Sequence, residues 1–177
     1  MPMEMIAMDI QIDSREKPEA IKLILAEFDR KKVHYFKSKL YVGDYQNLDN
    51  PRLIIDRKQN LNELCTNVTQ QHERFKKELI RAIESRIQLV ILCEHGEGIE
   101  SIEDVYFWEN PRKHNVYWKY VNGKKQMFVQ SRKAVDGKQL YKSLCTIRDR
   151  YGVRFEFCDK KDTGKRIIEI LSKRHDS

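Results

Sequence analysis

No apolar run in this 177-residue chain approaches the roughly 20 residues that a membrane-spanning helix needs, so no membrane partner is expected. The first eight residues contain Glu4 and no basic n-region, which argues against a secretory leader and makes a cytoplasmic location the expectation. Cysteine is sparse: Cys65, Cys93, Cys145 and Cys158 are far apart, with no Cys-x-x-Cys pair, as in a protein with reduced core thiols. Cys93-Glu94-His95 offers half of a zinc site, but no second half stands at ligand spacing, and closed zinc sites need four clustered ligands. Gly96-Glu97-Gly98 is too short for a phosphate loop and reads as a turn, so no nucleotide cofactor is expected. Neither an internal repeat nor a linker divides the chain. A single domain over residues 1–177 is expected, long enough for one full hydrophobic core.

Acids are missing from one stretch in particular. Between Asn110 and Val135 there are seven basic residues and no Asp or Glu, which accounts for the whole net charge of +7 and leaves the rest of the chain formally neutral. A localised basic segment is the footprint of a polyanion, whereas an even scatter would mean only solubility. At 40% hydrophobic and 34% charged residues, the chain as a whole is globular rather than disordered.

Periodicity places the elements. Ile6, Met8, Ile10 and Ile12 alternate with Asp9, Gln11 and Asp13 as on a strand, and Pro18 begins a helix through Ile21, Leu23, Ile24, Leu25 and Phe28. Strands are expected over 33–36, 40–45 and 53–56, then a helix over about 70–85 and a buried strand over 89–93. Val116–Val121, Asn122-Gly123 and Lys124–Gln130 form a hairpin signal, because Asn-Gly favours the type I′ turn. A helix over about 137–151, a strand over 153–158 and a helix over 162–173 complete an α–β–α layered pattern, with the basic aromatic hairpin inserted at about 105–135.

Three polar clusters close apolar strand-like runs: Asp13-Ser14-Arg15-Glu16, Gly43-Asp44-Tyr45 and Asp56-Arg57-Lys58. Asp56 and Lys58 share one face of a strand, while Arg57 points the other way. Asp44 and Asp56 are the expected pair of carboxylates. Held close together they repel unless a cation neutralises them, which suggests Mg²⁺ or Mn²⁺, with Asp13 as a third ligand or as the holder of a water. Lys58 would orient or deprotonate water or stabilise charge developing on a phosphate. Arg57 suits an ion pair with Glu16 or a phosphate contact, and Arg15 belongs with this supporting group. The plainer reading of the same strings is turn and salt-bridge residues.

Taken in order, these motifs resemble those of the XPF-type nuclease domain, the structure-specific endonucleases that include excision-repair, Mus-type and Hef-like enzymes. That family's pattern is Asp-x-Arg-Glu, then Gly-Asp, then Glu-Arg-Lys-x-x-x-Asp, and the helix containing Arg74-Phe75 follows as it does there. The resemblance implies a restriction-endonuclease-like PD-(D/E)xK α/β core and Mg²⁺-dependent hydrolysis of DNA phosphodiesters, with branched, flap or junction DNA as substrate. By position, Asp44, Asp56 and Lys58 become the catalytic set and Asp13, Asp44 and Asp56 the metal ligands. Two departures stand out: Asp56 replaces Glu, and the final Asp falls on Asn62, with Glu63 next to it. The resemblance also implies roles in DNA repair or recombination and a homodimer. Trp108-Glu109-Asn110-Pro111-Arg112, with the 151–158 stretch, resembles small stand-alone nucleases of bacteriophages and prophages.

No stretch of these 177 residues reads as the helicase or tandem helix–hairpin–helix modules usual in that family. In their place, Arg112, Lys113, Lys119, Lys124 and Lys125 would contact phosphates, and Tyr117, Trp118, Tyr120 or Phe128 would stack on an unpaired base. Alternatively the hairpin aromatics pack on the core. Two other functions remain open on sequence alone: a catalytically silent DNA-binding subunit, and an RNA-processing or RNA-binding protein.

Overall fold

In a computed structural model, which describes residues 7–131 and 133–173, the core is a six-stranded mixed sheet in the order β2-β1-β3-β4-β5-β8. Its strands are β1 (Asp9–Ile12), β2 (His34–Lys37), β3 (Tyr45–Asn47), β4 (Asn50–Lys58), β5 (Gln88–Glu94) and β8 (Arg154–Cys158). β3 runs antiparallel to β1 and β4, and the other pairs are parallel. Helices α1 (Pro18–Arg30) and α5 (Thr163–Leu171) cover one face, and α2 (Leu61–Val68), α3 (His72–Glu84) and α4 (Gly137–Tyr151) the other. Strands β6 (Val116–Val121) and β7 (Lys124–Val129) form a separate two-stranded sheet. Arg132, counted in the basic stretch, and Ile6, at the head of the first strand pattern, lie outside the described residues.

The two-residue alternation of the strands divides the core. Ile10, Ile12, Tyr45, Ile55, Val90 and Leu92 pack toward α1 and α5, whereas Ile54, Leu89, Ile91 and Cys93 pack toward α2, α3 and α4. The strand expected over 40–45 is mostly a loop, and β3 starts only at Tyr45. Gly43 explains this: its φ of +65° leaves the strand region, and a Cβ there would lie 2.5 Å from Ile54 Cγ2 and 2.9 Å from the Ile55 carbonyl oxygen. Asp44 therefore sits where a loop enters a strand rather than at a strand's end.

Helix α2 was not expected, although its signals are local. Asn60 accepts a hydrogen bond from the Glu63 N–H at 2.9 Å as N-cap, and Leu61, Leu64, Cys65 and Val68 bury one face at helical spacing. A short turn over 69–71 separates it from α3. Helix α4 begins with a capping box between Asp136 and Gln139 and ends at Gly152 in the left-handed region. The hairpin turns at Asn122 and Gly123, both with positive φ, as the Asn-Gly signal requires. On α4 and α5 the apolar side chains Tyr141, Ile147, Tyr151 and Ile168 are partly buried rather than fully exposed. None of the helices is long and apolar enough to cross a membrane.

Helices α1 and α5 meet at Gly164, where an added Cβ would lie 2.7 Å from Glu27 Cβ and 3.2 Å from Ile24 Cα. Backbone must therefore move to admit a methyl group. Gly164→Ala is expected to lower stability by about 1–3 kcal/mol, read from the midpoint of urea unfolding. An unchanged midpoint would mean that the two helices separate at no cost.

Candidate functional site

Strand β4 builds both sides of the site through its alternation. Asp56 and Lys58 face α3, and Arg57, between them, faces the α1/α5 side. Asp44 is fixed through the backbone: its N–H donates to the Ile55 carbonyl at 2.8 Å, its carbonyl accepts from the Asp13 N–H at 2.8 Å, and its Oδ2 accepts from the Arg57 N–H at 2.8 Å. Asp44, Asp56 and Lys58 line one polar cavity of about 310 Å³. Helix α3, with Gln71 as its N-cap, closes the cavity through Arg74, Phe75, Glu78 and Arg81, one stripe at three- and four-residue spacing.

Inside the cavity the carboxylates lie deep and the arginines lie at the mouth. Asp56 is 4% exposed, and Lys58 Nζ approaches its Oδ2 to 2.8 Å, though outside hydrogen-bonding angles, so that this buried oxygen keeps no hydrogen bond. Lys58 Nζ also lies 5.7 Å from the centre of the Phe75 ring. Glu78 Oε1 accepts the Gly43 N–H at 3.1 Å. Arg15 and Arg74 are exposed, and the Arg81 guanidinium lies 5.5 Å from the centre of the Tyr41 ring.

Below β4 a buried ion-pair network supports this arrangement. The Arg57 guanidinium donates to both oxygens of Glu16 at 2.7 Å and to Glu94 Oε1 at 3.1 Å, and the Tyr45 hydroxyl donates to Glu16 Oε1 at 3.1 Å. With its side chain only 2% exposed, Arg57 pairs with Glu16 and is not available to a phosphate. Asp13 is not part of the cavity. Both of its oxygens are engaged, by Arg15 Nε at 2.7 Å, Arg15 Nη2 at 3.0 Å, the Arg15 N–H at 2.8 Å and the Leu40 N–H at 2.7 Å. The structure thus gives Asp13 the work of tying the 38–44 loop to the end of β1, and does not bring it to Asp44 and Asp56 as a third ligand. Asn62 is absent from the cavity wall, which includes Glu63 instead. Glu63 Oε2 is already engaged by the Gln59 N–H at 2.7 Å.

Glu78 and Arg81 are the residues that motif reading missed. A sequence signal for Glu78 existed: it interrupts the apolar stripe Phe75, Leu79 and Ala82 of an amphipathic helix with an acid. Which strand motif that acid would meet was not written locally.

Acidic and basic side chains line the cavity in equal number, but the acids crowd one another in its interior. Burial first, then the charges of Asp56 and Glu16, holds the Asp44 carboxyl well above the usual carboxylate range. Burial and the charge of Asp56 raise Glu78 as well. Burial pushes Lys58 down, but Asp56 and Asp44 more than reverse this and keep it an ammonium. Acidic oxygens of this kind suit a hard divalent cation such as Mg²⁺ or Mn²⁺, and the hydrogen-bond-free Oδ2 of Asp56 and the mutual repulsion of Asp44, Asp56 and Glu78 fit such an ion. With Lys58 against Asp56, no three candidate ligands among the described residues converge as a ready-made metal site.

The basic segment lies apart from this cavity. Asn110, 2% exposed, donates from Nδ2 to the Val135 carbonyl at 2.8 Å and so closes the base of the insert. Arg112 is half-buried at that base, and Lys113 Nζ lies 3.7 Å from Asp136. Lys119, Lys124, Lys125 and Trp118 are exposed on the hairpin. No residue of β6 or β7 is buried, so the hairpin aromatics do not pack on the core.

The ERCC4 domain family matches residues 12–171 of this chain. XPF from Aeropyrum pernix superposes with a TM-score of 0.57 at 17% identity, over 92% of this chain and 63% of that one. XPF from Aeropyrum pernix in complex with DNA gives a TM-score of 0.59 at 18% identity, over 93% of this chain and 63% of that one. At these identities the likeness establishes the fold, an XPF-like, restriction-endonuclease-like α/β arrangement. The chain spans less than two thirds of the length of the chains it matches. No curated protein sequence matches it.

A carboxyl whose pKa is raised by folding binds more protons in the folded than in the unfolded state, so stability is lost as pH climbs from its ordinary value through its raised one. Removing the Asp44 charge should therefore stabilise the protein. Asp44→Asn is expected to melt at a higher temperature than wild type, with the gap widening from pH 5 to pH 8, because each pKa unit of elevation is worth about 1.4 kcal/mol. Melting curves that coincide at every pH would show that Asp44 is not electrostatically strained.

Proposed function

The chain belongs to the ERCC4 domain family, and from that premise and the chemistry of its acidic cavity we propose that it is a divalent-metal-dependent DNA endonuclease acting on branched, flap or junction substrates. The observation that carries the reading is the convergence of Asp44, Asp56 and Lys58 in one cavity with arginines at its mouth. Asp44 and Asp56 would hold Mg²⁺ or Mn²⁺, with Glu78 within the same set. Such an ion supplies Lewis-acid polarisation of the scissile phosphate and makes water a competent nucleophile at neutral pH.

The chain's own residues do the rest. Lys58, kept protonated by its acidic neighbours, is a fixed cation for the negative charge that grows on the phosphate as water attacks phosphorus and the opposite P–O bond breaks. The same ammonium would also orient the attacking water beside Asp56. Exposed Arg15 and Arg74 at the edge of the cavity would take flanking phosphates, with half-buried Arg81 behind them. The Arg57–Glu16–Glu94 network positions Asp44 through the Arg57 N–H, and the lysines of the hairpin extend the contact with the DNA backbone.

Labelled flap, fork, Holliday-junction and linear duplex DNA, each incubated with Mg²⁺ or Mn²⁺, provide the test. Wild type is expected to cut branched substrates in preference to linear duplex, and Asp44→Asn to lose at least about 10²-fold of that activity. Tight binding without cutting, unchanged by the substitution, would instead identify a catalytically silent DNA-binding protein. Cleavage of RNA in preference to DNA would overturn the substrate.

A further inference from the structure

The two faces of the hairpin differ, and the cross-strand register shows how. On one face Tyr117 pairs with Phe128, and their rings stack on each other with centroids 5.7 Å apart and planes 23° apart. These two aromatics are each other's partners. Trp118 lies opposite Met127, and Tyr120 opposite Lys125, on the other face. There Trp118 is 58% exposed, Tyr120 71% and Met127 57%, and Lys125 Nζ sits 5.3 Å from the centre of the Trp118 ring. This is an apolar, aromatic surface held out in water and edged with cations.

We propose that the Trp118–Tyr120–Met127 face is a stacking platform for the unpaired bases of a DNA strand, so that single-stranded DNA beside the cleavage point is what this chain grips. The ligand class rests on the nuclease reading above. Charge argues for the occupant: the stretch from Asn110 to Val135 has seven basic residues and no acid, which suits a polyanion and disfavours a second copy of the same basic hairpin. Spacing agrees. Trp118 and Tyr120 are two strand residues apart, about 6.6 Å along β6, close to twice the ~3.4 Å rise per nucleotide of a stacked strand. One base can therefore enter between the two rings while Lys125 meets its phosphate. A paired base, stacked on its neighbours within a duplex, has no free face to offer.

The root of the hairpin lies near helix α2. Arg112, at the root of the hairpin, lies near enough to Cys65 for its charge to counter the upward push of burial on that thiol. Cys65 belongs to α2, which also supplies Glu63 and Asn67 to the cavity.

Trp118 reports on its own occupancy, since the only other tryptophan, Trp108, is buried. The full chain in EDTA, with no cleavage possible through a divalent ion, is titrated with oligothymidylate, oligouridylate and a blunt duplex while tryptophan emission is followed. Oligothymidylate is expected to quench the emission, and the duplex to leave it nearly unchanged. Anisotropy of labelled oligothymidylate should show Trp118→Ala and Tyr120→Ala each weakening binding by about 10-fold, with Trp118→Phe largely restoring it. Lys124→Gln with Lys125→Gln should reduce the slope of log K against log salt by about 1.4. Quenching by duplex as strong as by single strand, tighter binding of oligouridylate, or alanine variants that alter only sedimentation of the protein would each overturn the proposal. Loss of the quench with cleavage retained refutes the platform alone, whereas a quench without any cleavage refutes the nuclease reading.

Discussion

Arg57 is the residue on which the site depends. Its guanidinium binds Glu16 after β1 and Glu94 at the end of β5, and its backbone N–H holds the Asp44 carboxylate from the other direction. Four segments far apart in sequence are thereby joined at one point beneath the cavity. A buried guanidinium is tolerated only with its charge matched and its donors engaged, so the ends of β1, β4 and β5 have little freedom in register. Asp56 and Lys58, one residue to either side on β4, inherit that precision. The network contributes placement more than stability, since a buried ion pair gains little over apolar packing but is costly to break.

Above that support the cavity is organised by opposition of charge. Asp44, Asp56 and Glu78 are held closer than their mutual repulsion favours, and the Lys58 ammonium offsets only part of it. Such strain is what a cation site or a phosphate-handling centre needs, because an arriving ion or polyanion then relieves an existing cost. The same helix that delivers Glu78 into the cavity also brings exposed Arg74 and half-buried Arg81 to its lining, so a single 13-residue helix supplies both signs of charge.

The hairpin is a different kind of element. It adds nothing to the core, yet Tyr117, Trp118 and Tyr120 of its first strand are all exposed. Exposed tryptophan and tyrosine cost solvation, and a fold without use for them would be expected to bury or replace them. The nuclease chemistry and the single-strand grip proposed above would then fall to two separate parts of the fold.

Much of this could be read from residues close together in the chain. The alternation on β4 that puts Asp56 and Lys58 on one face and Arg57 on the other is a property of any strand, and the Asn122-Gly123 turn carries its own backbone preference. The pairing of Arg57 with Glu16 was one of two roles its position suggested, the other being a phosphate contact, and burial of the guanidinium decides for the ion pair. Asp13 was not legible: its type and position suited a ligand, but the local Arg15 fork and the Leu40 N–H engage both of its oxygens. Nor could Glu78, Arg81 or Glu94 be assigned partners, because each meets the site only after α3 and β5 have packed against β4. Local pattern determined the elements, the facing of their side chains and the identity of the central acids and lysine. Tertiary structure alone decided which acids share a cavity, because register and helix placement follow from burying apolar surfaces that lie far apart in the sequence.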